Sequence, residues 1–340
     1  MHHRHPQPCG IWFGVIAVIL SASAPTGAQP VALAVTAAAQ TNAGADFRTS
    51  WGDPDLQGIW TTETVTPFER PAEFADREFL TAEEAAEFEV RVVEGRSTEG
   101  PLAPNNPGTY NDFWFDRGTR VVQDRRTSLI VDPPNGRLPW KEGAEDRIGA
   151  TLFAGPYYSW ADLDTGERCL TDGPTLVPMQ GYNMNFQILQ TPGYVAILHE
   201  MFGNRHLIPL DERPHVGPNI RQWLGDSRGH WDGDTLVVET ANYVDKTEYR
   251  WARGWRASRP ALRLVERFKR IDKDTIDYRF TVEDSSMFTR SWTAVVPMSQ
   301  DRADRGVADT DRLYEYACHE GNYAIVNVLS GARQEELVAK

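Results

Sequence analysis

From about residue 119 onward, apolar and polar residues alternate with a period of two, interrupted at short intervals by Gly, Pro, Asn and Asp, except over 140–183, where periodicity is poor, turn residues are many and a long ordered excursion is expected. Half-buried strands joined by tight turns give this pattern. The alternation predicts strands at Val121-Val122, Thr127–Val131, Asn185–Gln190, Tyr194–Glu200, His206–Leu210, Gly229–Trp231, Thr235–Thr240, Leu262–Ile271, Thr275–Glu283 and Thr289–Val296. Asp55–Trp60 reads as entry into a first strand, and Leu313–Cys318 as a last one. Thr191-Pro-Gly193, Asp232-Gly-Asp234 and Asp272-Lys-Asp274 are the hairpin turns. Two segments have helical spacing instead. Thr81-Ala-Glu-Glu84 is a capping box, opening an N-terminal helix over about 82–94 that Gly95 ends. Tyr323, Val326, Leu329 and Arg333 mark a C-terminal helix over about 322–336. The expected fold is mainly β, an antiparallel meander that hides its edges by closing into a barrel or folding as a sandwich.

The chain before residue 51 breaks the pattern. Arg4, with His2, His3 and His5, precedes an apolar run from Ile11 to Leu20, and small residues follow to Ala28. Charge, apolar run and small residues in that order predict a secretory signal peptide over 1–28. A second cleavage position lies near Ala39. The apolar run is about half of what a bilayer span needs, so no integral membrane span is expected. Residues 29–50 read as a disordered leader, and residues 51–340 as a single β-rich domain. The expected location is periplasmic or secreted.

Charge sharpens that picture. The signal carries one arginine and no acid, so cleavage moves the formal net charge from −13 to −14. An acidic chain of this kind excludes nucleic acid and anionic membranes as expected partners, and leaves a small-molecule ligand or substrate. Two cysteines remain beyond the signal, Cys169 and Cys318. In an oxidising compartment they are expected to form one disulfide, with a long loop that stabilises by about 3–5 kcal/mol. The alternative is a pair of buried free thiols.

Several segments carry a family resemblance. Asp132-Pro-Pro-Asn-Gly-Arg-Leu-Pro139, the run from Trp223 to Val238, Leu264-Val-Glu-Arg-Phe268 and the run from Tyr314 to Tyr323 resemble a large family of exported bacterial proteins, common in soil bacteria. The resemblance covers about residues 51–336. It implies export and β architecture and supplies no mechanism. Gly58-Ile-Trp60 separately resembles the first strand of lipocalins, so the barrel alternative is a lipocalin-like one.

Candidate chemistry gathers in three polar clusters. His199-Glu200 and Arg205-His206 flank a turn, so a carboxylate, an arginine and imidazoles can meet across a hairpin as a charged base or an anion clamp. A surface cross-strand salt bridge is the plainer reading. Asp226, Arg228 and His230 alternate, which puts all three on one face of a strand. There Asp226 could orient His230 as a general base while Arg228 stabilises an oxyanion, an arrangement suited to a barrel mouth. Glu315 and His319 form the third cluster, beside Cys318. No spacing supports a metal site, and no cofactor is expected.

Ten of the eleven tryptophans lie beyond the signal. Tyr110, Trp114, Trp231, Trp251, Trp255, Trp292 and Tyr316 are the aromatic candidates for substrate contact. The first expectation is an exported, cofactor-independent acid–base enzyme: a lyase, dehydratase or isomerase, or else a hydrolase. Its substrate would be a small aromatic, polycyclic or glycosidic natural product. The alternative is a non-catalytic, lipocalin-like binding protein.

Overall fold

The computed structural model describes residues 47–96, 116–144, 157–163, 165–171, 173, 181, 183–245, 260–300 and 312–338. The expected signal peptide over 1–28 and most of the expected leader over 29–50 lie outside the described residues. So do Tyr110, Trp114, Trp251 and Trp255.

The period-two segments form an antiparallel sheet. Its strands are β1 (Gly58–Thr61), β2 (Ile130–Asp132), β3 (Asn185–Thr191), β4 (Tyr194–His199), β5 (Arg205–Pro209), β6 (Asp226–Asp232), β7 (Thr235–Ala241), β8 (Arg263–Arg270), β9 (Thr275–Glu283), β10 (Trp292–Val295) and β11 (Met298–Ser299). The order along the sheet is β5-β4-β3-β1-β11-β9-β8-β7-β6, and β10 branches from β9 to pair with β2. Alternate residues turn to a common core. Phe186 and Ile188 of β3, Val195 and Ile197 of β4, Leu236 and Val238 of β7, Leu264 and Phe268 of β8, and Tyr278, Phe280 and Val282 of β9 are all buried there.

The sheet does not close into a barrel, which corrects one of the two expected forms. Every pairing along the nine-strand path is antiparallel, so its two end strands, β5 and β6, run in the same direction. Closure would require a parallel ladder, and none joins them among the described residues. They meet through side chains instead. A Cβ on Gly229 of β6 would lie 2.6 Å from Ile208 and 2.8 Å from Leu210, so only glycine permits this approach. Two parallel neighbours cannot be joined by a tight hairpin. The chain therefore spends residues 210–225 returning from the end of β5 to the start of β6.

Two α-helices occur among the described residues, α1 (Ala82–Glu94) and α2 (Ala324–Val338). Helix α1 begins on the expected capping box: the Thr81 hydroxyl accepts from Glu84 N–H, and the Glu84 carboxylate accepts from Thr81 N–H. Its Ala85 and Phe88 pack with Val65, Phe74 and Leu80 in a small core of their own. Neither helix is long and apolar enough to cross a membrane. Val121-Val122 and Leu313–Cys318 are not strands. The second of these is fixed by the Cys169–Cys318 disulfide, whose Cα atoms are 5.6 Å apart, and by Tyr316 packing edge-on against Phe202. Cross-links hold this segment without a ladder.

Candidate functional site

The 210–225 connection and β6 build the most organised polar group. Strand β6 turns Ser227, Gly229 and Trp231 toward the core side, opposite Thr240, Val238 and Leu236 of β7. Asp226, Arg228 and His230 share the other face, as their alternation requires. That face is the outer face of the sheet, not the mouth of a barrel. Asp226 is nevertheless buried, because the returning loop covers it. Its Oδ2 takes the Nδ1 of His215 at 2.9 Å and the backbone N–H of Val216 at 2.9 Å. Arg228 donates to Oδ1 at 2.7 Å and to the Pro214 carbonyl at 3.1 Å. Asn242 donates to the Val216 carbonyl from the other side of the loop. Two side chains of β6 and one just past the end of β7 thus pin one loop turn.

The electrostatics follow from these contacts. Burial by itself would raise the Asp226 carboxyl. The Val216 N–H, the His215 ring and the Arg228 guanidinium outweigh it and hold the carboxyl below its ordinary value. A carboxylate accepting from Nδ1–H leaves Nε2 as the basic nitrogen of a neutral imidazole. His215 Nε2 has no hydrogen-bond partner among the described residues, and the side chain is 29% exposed. The orienting partner that sequence reasoning gave to His230 thus belongs to His215. His230 is exposed on the same face; His215, and to a lesser degree His230, help hold the Glu239 carboxyl of β7 below its usual value. The larger cause there is Arg263, which bonds Glu239 at 2.6 Å.

The first cluster sits at the far end of β4. His199 and Glu200 are buried, as is His206. His199 pairs in register with Phe186 and stacks on its ring at 4.6 Å. Glu200 takes amide donors from Asn185 and, at 3.3 Å, from Asn183. Arg205 is exposed and paired with Leu198, on the face opposite His206. Register therefore separates Arg205 from its neighbour, and asparagines hold Glu200. In the third cluster Glu315 and His319 are exposed on the disulfide-tethered segment.

Two aromatic candidates sit in or against the core. Trp292 is fully buried, with Phe68, Phe280 and Phe288 edge-on around it. Trp231 is half-buried against the core, and its buried indole N–H has no hydrogen-bond partner among the described residues.

Sequence reasoning missed two groups. His215 lies in a Pro-rich loop 11 residues before its carboxylate, where no periodicity points at it. Glu266 did leave a signal: it occupies the apolar phase of Leu264, Glu266 and Phe268. It is 3% exposed, accepts from Tyr278 Oη at 2.6 Å, and is pushed up to about 7 by burial, which the Tyr278 hydrogen bond only partly offsets. No protein-family description, curated protein or solved structure matches this chain.

Proposed function

We propose that the protein is an exported, cofactor-independent acid–base enzyme in which His215 is the general base. The observation that carries this reading is the buried Asp226 carboxylate, which orients His215 through Nδ1 and leaves Nε2 open to solvent. A base so held keeps one tautomer and one ring orientation, and a positioned base contributes about 10²–10⁴-fold to rate. Arg228 stands beside it and offers positive charge to an oxygen on which negative charge develops. Proton abstraction next to a carbonyl, followed by elimination or isomerisation, needs no more than these parts. This places lyase, dehydratase or isomerase chemistry ahead of hydrolysis, which also requires a positioned nucleophile. The substrate class is a small aromatic, polycyclic or glycosidic natural product. The Cys169–Cys318 disulfide supports export, because such bonds persist in oxidising compartments.

A lipocalin-like carrier is the second reading. It draws on the number of aromatic side chains facing the core, but Trp60 and Trp292 are fully buried and packed rather than arranged around an open cavity. Incubating the mature protein with plant or soil metabolite extracts, and following binding and turnover by mass spectrometry, separates the two. The enzyme reading expects product that falls about 100-fold or more in His215→Gln while ligand enrichment persists. Enrichment without product, or turnover that survives His215→Gln, overturns it.

A further inference from the structure

Arg70 lies just before a short 3-10 turn at Ala72–Phe74, and only 7% of it is exposed. Its Nε donates to Thr127 Oγ1 at 3.0 Å. Its two terminal nitrogens have no hydrogen-bond partner, and no carboxylate lies within ion-pairing distance of it, among the described residues. Nearby arginines are neutralised: Arg126 pairs with Asp124, and Arg279 with Asp277. Arg70 is the exception, and it lines a cleft of about 160 Å³. Phe79, Ile130, Val131, Pro134 and Val295 supply the apolar part of the wall, and Phe79 is half exposed. Glu78, also on the wall, is exposed to solvent.

We propose that this cleft is a binding site for a small carboxylate with an apolar body, seated with its carboxylate on the Arg70 guanidinium. A guanidinium turned away from solvent without a counter-ion favours a bound anion, which restores the interactions lost on leaving water. The free end of the fork presents parallel N–H groups, which match the two oxygens of a carboxylate. The volume is of the size that admits a benzene-sized group. Phe79 and Pro134 then cover the body of the ligand while its charge points inward. The cleft is built from elements other than the His215 loop, so the two readings stand or fall separately.

Calorimetric titration of the full mature chain with benzoate, benzamide and inorganic phosphate tests the assignment. Benzoate is expected to bind saturably, at least about tenfold tighter than benzamide, because the charged hydrogen bonds distinguish them. Arg70→Gln is expected to weaken benzoate by about tenfold or more with benzamide unchanged. Phe79→Glu, at a half-exposed rim position, is expected to weaken benzoate similarly by placing a like charge at the mouth, with an unchanged far-ultraviolet circular dichroism spectrum. It reports even where Arg70→Gln does not fold. Absence of saturable benzoate binding overturns the proposal, as does benzoate affinity unchanged in Phe79→Glu. Phosphate binding tighter than benzoate overturns the carboxylate assignment.

Discussion

Asp226 and Glu266 are both buried carboxyls on strands of one sheet, and their surroundings drive them in opposite directions. Asp226 has a backbone N–H, an imidazole and a guanidinium around it and stays ionised. Its contribution to stability is full above the carboxylate's unfolded pKa and is lost as pH falls through its depressed folded value. Asp226→Asn removes that charge while leaving Arg228 in place, and is expected to cost about 2 kcal/mol in urea unfolding at pH 7. Glu266 accepts one hydrogen bond, from the Tyr278 phenol, and burial pushes its carboxyl up to about 7. Here the sign reverses. The folded state binds the extra proton, so stability is highest below the unfolded value and declines as pH rises toward 7. The full effect of that shift is about 3 kcal/mol. Glu266→Gln keeps the shape and the acceptor for Tyr278 Oη. Relative to wild type it is expected to gain stability between pH 5 and pH 8, read as the difference between two urea series. Equal curves for the two proteins at both pH values would show that Glu266 is not protonated in the fold.

At the scale of elements, the decisive feature is the meeting of β5 and β6. Parallel end strands without a ladder must be sealed by packing, and Gly229 is where Ile208 and Leu210 press closest. Gly229→Val adds atoms where a Cβ alone would fall within 2.6–2.8 Å of two side chains. Overpacking of this kind costs about 1–3 kcal/mol, and it is expected to appear as a lower urea midpoint with near-unchanged far-ultraviolet circular dichroism. A neutral substitution would mean that the strands part without cost. The same geometry accounts for the candidate site. Because β6 is entered by a long return and not a tight turn, residues 210–225 are available to lay His215 over the outer face of β6.

At the scale of the whole molecule, one covalent bond joins distant parts of the chain. Cys169 and Cys318 are separated by 149 residues, and the bond fixes the segment that carries Glu315, Tyr316 and His319. A loop of that length lowers the entropy of the unfolded chain enough to contribute about 3–5 kcal/mol. The double substitution Cys169→Ser with Cys318→Ser is expected to lower the urea stability by that amount and to leave the sheet intact. Labelling of unfolded, unreduced mature protein is expected to find no free thiol. Two reactive thiols in that assay would mean the bond is absent from the protein as made.

Local chemistry was enough to reveal helix α1 from its capping box, the hairpins β3–β4, β6–β7 and β8–β9 from alternation and turn residues, and the common face of Asp226, Arg228 and His230. Each depends on neighbours a few residues apart, so the sequence determines it. The cysteine count pointed to the disulfide for the same reason of small numbers. Closure of the sheet was not legible, because it depends on how many strands precede the return and in which direction the last one runs. The partner of Asp226 was not legible either: alternation says which way a side chain points, but not which loop will cover it. His215 reaches Asp226 only because β5 and β6 run parallel, and that is a property of the assembled sheet.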